Sequence, residues 1–163
     1  MVTESLHASR PPSMSHKTQL SGAGPRPAAD TTASLRVLLV EDEAMVALNL
    51  EGLVGELGHV VIGIAATRAQ AIDLASRQAP QVAVVDLNLL DGRTGLALAG
   101  ELATRFGTVA VIATGNPEGV APGGHVVAVL RKPYTDKALS DAVSQAARAA
   151  LAPSHRAELA SGR

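Results

Sequence analysis

The chain has 163 residues, enough for one ordinary domain, and a formal net charge of −1 without a basic stripe, which argues against direct nucleic-acid binding. It contains no cysteine, so disulfide bonds and thiolate metal sites are excluded, and aromatic residues make up only 1% of it, so a core must be built from Ala, Val, Leu and Ile. Because no apolar stretch is long enough to span a bilayer and the N-terminus lacks the apolar core of a secretory signal, we expect a cytoplasmic protein with no membrane partner.

Both ends of the sequence have the composition of unfolded segments. Residues 1–34 are rich in Ser, Pro, Gly, Ala and Thr and show no apolar periodicity, which predicts a disordered N-terminal arm. Residues 152–163 predict a flexible C-terminal tail. The folded domain is therefore predicted over residues 35–151, which is a usual domain length.

The folded part begins with an apolar run that leads into an amphipathic stretch. Residues 35–40 form a nearly continuous apolar segment, which predicts a strand buried on both faces. A helix is predicted over residues 43–58, with Gly58 as its C-cap, because apolar residues recur there near helical spacing. These apolar residues are Met45, Leu48, Leu53 and Leu57.

The same alternation continues along the chain. The predicted elements are a strand at 59–66, a helix at 67–78, strands at 81–87, 108–114 and 125–132, and helices at 94–106 and 135–151. Thr67 and Thr135 are predicted N-caps. Between the fourth and fifth strands, residues 115–124 contain two prolines and four glycines, so a helix in this place is predicted to be short or degenerate.

Five strands that alternate with helices predict an α/β fold. Its sheet should be five-stranded and parallel, with helices on both faces, in the doubly wound, flavodoxin-like class. Ligands of such sheets bind beyond the carboxyl ends of the strands, where the strand order reverses. The polar residues at those ends are therefore the candidate site.

Five polar residues follow or end the predicted strands, and they should converge at one edge of the sheet. They are Glu41, Asp42, Asp86, Thr114 and Lys132. Three carboxylates in a partly dry cleft stay ionised only when a cation neutralises them, and oxygen ligands without His or Cys favour Mg²⁺. A carboxylate beside a metal, an ammonium group and a hydroxyl is placed to attack phosphorus as a nucleophile.

Four segments carry a resemblance to a known family. "VLLVEDEAM", "VVDLNLLDGRTG", "VIATG" and "LRKPY" resemble the signature segments of the receiver domain of bacterial two-component response regulators. They occur in the family's order and spacing, and the match covers about the whole of 35–151. The stretch "ELGHVVIGIAATRAQAI" also resembles receivers of alphaproteobacterial general-stress regulators.

The resemblance implies a role for each matched residue. Asp86 is the implied phosphoacceptor. The implied Mg²⁺ ligands are Glu41, Asp42, Asp86 and, through its backbone carbonyl, Asn88. Thr114 and Lys132 are the implied switch hydroxyl and phosphate-binding lysine, and the peptide bond before Pro133 would be cis.

The implied function is that of a stand-alone receiver in phosphorelay signal transduction. The phosphoryl donor would be a sensor histidine kinase or a phosphotransfer protein, and the signal would leave through an unknown partner protein. Such a domain is expected to be a phosphoacceptor that assists its own phosphorylation and dephosphorylation, and not an enzyme that turns over a separate substrate.

Two departures from the family pattern keep an alternative open. Receivers carry Tyr or Phe three residues before the lysine, but this position is Val129, and the degenerate fourth helix removes part of the usual effector surface. A phosphorylation-independent interaction module on a receiver scaffold is therefore the alternative. A haloacid-dehalogenase-like phosphotransferase does not fit, because Ala44 stands where its second acid is needed, and no phosphate-binding loop ending in Lys-Ser or Lys-Thr is present.

Overall fold

The computed structural model describes residues 33–152 of the chain. The predicted N-terminal arm (1–34) and C-terminal tail (152–163) lie outside this part except for their innermost positions, so those domain limits stay predictions. The elements in chain order are β1 (Arg36–Val40), α1 (Ala44–Glu56), β2 (Val60–Ala65), α2 (Arg68–Gln78), β3 (Val82–Val85), α3 (Gly95–Phe106), β4 (Val109–Thr114), β5 (Val126–Arg131) and α4 (Asp136–Leu151).

The five strands form one parallel sheet in the order β2-β1-β3-β4-β5. The chain moves from β1 outward to β2 and then returns to the other side of β1 for β3. The strand order therefore reverses between β1 and β3, which is where the predicted ligand site should lie. The predicted fold class is confirmed.

Two layers of helices cover the sheet, because successive side chains of a strand point to opposite faces. On β1, Val37 and Leu39 belong to the core layer that α1 and α4 cover. Leu38 and Val40 belong to the layer that α2 and α3 cover. All four side chains are fully buried, which explains why the strand is apolar at every one of these positions.

The N-terminal ends of α2 and α4 follow the predicted signals. The hydroxyl of Thr67 accepts a hydrogen bond from the backbone N–H of Gln70 at 3.2 Å, and that of Thr135 accepts one from Ala138 at the same distance. The C-cap of α1 is Leu57 and not Gly58 as predicted; Gly58 is the next residue and has a φ of +82°, a left-handed conformation that glycine adopts without strain.

The buried face of α1 differs from the one that its predicted apolar residues would form. Leu53 and Leu57 pack against the core as partly buried residues. Met45 and Leu48, in contrast, are 78% and 56% exposed. The fully buried positions of this helix are instead Ala47, Leu50 and Val54.

A short or degenerate helix was predicted between β4 and β5; no α-helix forms there, and the described chain has four helices. This connection, residues 115–125, is held by turn hydrogen bonds such as the one from the N–H of Val120 to the carbonyl of Pro117 at 3.0 Å. None of the helices within residues 33–152 is long and apolar enough to cross a bilayer.

Candidate functional site

The backbone ladder of the sheet continues past the strand ends and fixes three of the predicted site residues. The N–H of Glu41 donates to the carbonyl of Ala65 at 2.8 Å, and the N–H of Asp86 donates to Val40 at 2.9 Å. The N–H of Lys132 donates to Thr114 at 2.8 Å. Each residue therefore starts from a rigid strand end, and the three side chains meet at the carboxyl edge.

A lysine bridge forms the centre of the site. The Lys132 Nζ lies 2.6 Å from the Oε2 of Glu41 and 2.7 Å from the Oδ2 of Asp86. The side chain of Glu41 is only 1% exposed, that of Asp86 10% and that of Lys132 19%. Since buried charges need partners, this bridge explains how two acids can be held together at the end of an apolar strand.

Burial and pairing act in opposite directions on the ionisation of these groups. Burial raises the pKa of Glu41, although the hydrogen bond and charge of Lys132 lower it in part. For Lys132, burial alone would lower the pKa, but the hydrogen bonds and the negative charges of Asp86 and Glu41 together outweigh it, and the pKa is raised. Lys132 therefore remains a cation at neutral pH and offsets part of the negative charge of its two acidic neighbours.

Asp42 completes an acidic cluster that can hold a metal. Carboxylate oxygens of Glu41, Asp42 and Asp86 lie within 4.8 Å of one another. Asp42 is half-buried and has no ion pair within residues 33–152. When all three acids are ionised, the single charge of Lys132 leaves an excess negative charge in the cleft. An all-oxygen donor set with such an excess fits Mg²⁺, which keeps several water ligands.

Asn88 lies at the start of the loop that joins β3 to α3, residues 86–94. Its side chain is exposed, and its backbone N–H donates to the Oδ1 of Asp86 at 3.0 Å. The two carboxylate oxygens of Asp86 are thus held from two sides, one by this N–H and the other by Lys132. Both bonds are charge-assisted and fix the orientation of the carboxylate.

Thr114 is fully buried at the end of β4, and its hydroxyl contacts the chain that follows. Its Oγ1 accepts a hydrogen bond from the N–H of Asn116 at 3.3 Å and lies 3.5 Å from the carbonyl oxygen of the same residue. Both distances are long for hydrogen bonds, so the hydroxyl is held only weakly in this position.

The residues around the lysine occupy the two core layers. The Lys132–Pro133 peptide bond is cis. Tyr134 is half-buried against the layer of α1 and α4, and burial raises the pKa of its phenol. Val129, like Val120 of the β4–β5 connection, packs against the layer of α2 and α3. An aliphatic side chain therefore stands at the position where an aromatic residue is usual.

The sequence did not indicate the contacts of Asp91, which lies in the loop between β3 and α3. Asp91 accepts hydrogen bonds from the backbone N–H of Arg68 at 3.0 Å and from the hydroxyl of Thr94 at 2.9 Å. Because its partner on α2 is a backbone amide 23 residues away, no pairing of residue types in the sequence signals this contact.

Comparison with known proteins identifies relatives of this chain. Residues 37–144 match the family model described as the response regulator receiver domain. The chain is 35% identical to the phyllosphere-induced regulator PhyR of Methylorubrum extorquens over 127 residues, which cover 76% of this chain and 47% of that protein. The chain thus spans about half the length of this relative.

Solved structures give the same result. The receiver domain of Erythrobacter litoralis PhyR superposes with a TM-score of 0.67 at 30% identity, over 74% of this chain and 95% of that domain. A Bartonella quintana protein described as the anti-anti-sigma factor PhyR gives a TM-score of 0.64 at 25% identity, over 79% of this chain and 52% of that one.

Proposed function

The chain belongs to the response regulator receiver family, and we propose that it is a receiver module of a cytoplasmic phosphorelay, in which Asp86 accepts a phosphoryl group from a phosphohistidine. The donor would be a sensor histidine kinase or a phosphotransfer protein. The observation that carries this proposal is the buried bridge of Lys132 between Asp86 and Glu41, with Asp42 close enough to complete a metal site.

The proposed step is an in-line transfer. An oxygen of Asp86 attacks phosphorus, a new O–P bond forms, the P–N bond to the donor imidazole breaks, and the imidazole leaves with the electron pair of that bond. Bound Mg²⁺, held by Asp42, Asp86 and the Asn88 carbonyl with Glu41 acting through water, would neutralise negative charge on the phosphoryl oxygens.

The protein's own residues orient and stabilise the reacting groups. The N–H of Asn88 keeps one oxygen of Asp86 in place. Lys132, which contacts the other oxygen at 2.7 Å, can turn its ammonium group to the incoming phosphoryl group without leaving the cleft. The domain is proposed to assist its own phosphorylation and dephosphorylation and to act on no separate substrate.

We propose that the signal leaves through the β4–β5 connection and is read by a partner protein. Phosphorylation adds about −1.5 to −2 charge at Asp86. The Thr114 hydroxyl, which is weakly held by Asn116, can reorient to donate to a phosphoryl oxygen and would then release the first residues of the connection. The likeness to receivers of PhyR proteins, one of them described as an anti-anti-sigma factor, supports a place in a general-stress pathway.

Mass spectrometry after incubation with acetyl phosphate and Mg²⁺ tests the acceptor. The wild-type protein should gain one phosphoryl group, and Asp86→Asn should gain none. Asp141→Asn is the matched control, because it removes an exposed carboxylate of α4 and should leave the labelling unchanged. Labelling that persists in Asp86→Asn would sink the assignment.

A second candidate is a phosphorylation-independent interaction module on the receiver scaffold. Val129 and the absence of a helix between β4 and β5 favour it, because both alter the surface through which receivers usually report their state. A wild-type protein that is folded, binds Mg²⁺ and yet gains no phosphoryl group would support this second candidate.

A further inference from the structure

The loop from β3 to α3 (residues 86–94) begins with Asp86, the proposed acceptor, and its far end returns to the backbone of the same residue. At its end, Gly95 lies so close to the Asp86 carbonyl oxygen that a Cβ on this glycine would come within 1.9 Å of it. Inside the loop, Leu89 and Gly92 exchange two backbone hydrogen bonds of 2.9 Å each, and Gly92 has a φ of +106°. The loop is therefore a closed turn whose shape is set at both ends.

The turn needs a contact outside itself to fix where it lies above the sheet. Asp91 supplies one, because its Oδ2 accepts the backbone N–H of Arg68, the first residue of α2, at 3.0 Å. The first amides of a helix have no partner within the helix, and a carboxylate there gains from the helix dipole as well. The other oxygen of Asp91 accepts the hydroxyl of Thr94, so one side chain joins both halves of the turn to α2.

The other hydrogen bonds from the turn to neighbouring segments are longer. The N–H of Leu90 donates to the carbonyl of Ala66 at 3.2 Å, and Arg93 donates to the carbonyl of Glu118, which belongs to the exposed β4–β5 connection, at 3.1 Å. The two bonds to Asp91 are shorter, and its carboxylate makes them charge-assisted, as the guanidinium does for the Arg93 bond. Asp91 thus makes the shortest hydrogen bond between the turn and α2.

We propose that Asp91 is a positioning residue for the metal site, because it fixes the turn to α2 and so holds Asn88, whose N–H donates to the Asp86 carboxylate, beside the acidic cluster. This inference rests on the proposed function, in which the backbone carbonyl of Asn88 is a Mg²⁺ ligand. Groups that orient metal ligands without touching the metal commonly affect its affinity. Asp91 itself takes no part in the phosphoryl transfer.

Titration of the unphosphorylated protein with Mg²⁺, followed by the backbone amide signals of Asp86 and Asn88, tests this role. Asp91→Ala should weaken Mg²⁺ binding by about three- to tenfold, the equivalent of roughly one hydrogen bond. Asp91→Asn keeps an oxygen that accepts the Arg68 N–H and should retain most of the affinity. Asp73→Ala, which removes an exposed acid of α2, controls for lost charge.

Phosphorylation with acetyl phosphate gives a second measurement. In Asp91→Ala, the Mg²⁺ concentration for half-maximal labelling should rise by the same factor, while the rate at saturating Mg²⁺ stays near that of the wild type. If Asp91→Ala is too unstable, Thr94→Val removes the other bond of the carboxylate and should weaken Mg²⁺ binding by about twofold.

Three outcomes would overturn the inference. Asp91→Ala could bind Mg²⁺ as tightly as the wild type, or Asp91→Asn could lose as much affinity as Asp91→Ala, and either result would refute the positioning role alone. A folded wild-type protein that does not bind Mg²⁺ would refute the proposed metal site and this inference together.

Discussion

Replacement of Lys132 by methionine should show what the lysine bridge contributes to the unphosphorylated protein. Methionine keeps an unbranched side chain of similar length but removes both ion pairs, of 2.6 and 2.7 Å. Glu41 would be left without its cation in a position where its side chain is 1% exposed. The remaining carboxylates would then repel one another without compensation.

The size of the effect follows from this burial. Removing one partner of a buried ion pair destabilises a protein by about 3–5 kcal/mol. Because Lys132 is 19% exposed, water can reach part of the vacated space, so we expect Lys132→Met to lose about 2–4 kcal/mol of unfolding free energy at pH 7. The loss should be smaller at pH 5, since burial already raises the pKa of Glu41 and a protonated Glu41 needs no cation.

Urea unfolding followed by far-ultraviolet circular dichroism measures this loss, with an unchanged m value as evidence that the cooperativity is intact. Lys137→Met is the matched control, because this lysine is 83% exposed and its pair with Asp141 should contribute under about 0.5 kcal/mol. The double variant Glu41→Gln/Lys132→Met should recover most of the loss. A loss below about 1 kcal/mol, or no recovery in the double variant, would refute the reasoning.

Three other outcomes are expected. Asp42→Ala should abolish phosphorylation but retain its thermal stability or gain up to about 1 kcal/mol, because it relieves repulsion among the acids, and a large loss of stability would mean that the acid is structural. Burial lowers the pKa of His59 in the folded state, so the free energy of unfolding should be highest above pH 6.5 and fall as the pH drops below that value. Parallel urea titrations of His59→Gln should not show this loss. Val129→Tyr should change the amide shifts of residues 114–124 on beryllofluoride binding only slightly, and a large change would assign the readout to that side chain.

The sequence alone was enough to predict the fold and the family. Buried parallel strands are apolar at every position, so "LRVLLV" and "TVAVIAT" could be assigned without knowledge of their neighbours. The glycines and prolines of residues 115–124 predicted a short or degenerate helix, because both residue types disfavour helices through their own backbone, and the structure has no helix there. The four motifs sufficed to identify the receiver family, and the stretch "ELGHVVIGIAATRAQAI" pointed to its general-stress relatives; the family match and the similarity to PhyR proteins confirm both.

The sequence also placed the site residues at one edge, since the carboxyl ends of parallel strands must meet there. It did not reveal which of them would touch. Only the tertiary structure placed Lys132 between Glu41 and Asp86, 91 and 46 residues away along the chain. It also decided that α1 buries Ala47 and exposes Met45, which periodicity could not distinguish.

The contact between Asp91 and α2 shows most clearly which contacts cannot be predicted from the sequence. Local propensities depend on a residue and its neighbours in sequence, so they report strands, caps and turns. A bond from a carboxylate to a backbone N–H involves a partner that every residue except proline possesses, so it leaves no mark in the sequence. Its existence depends on the packing of α2 against the sheet, and that packing is a property of the whole fold.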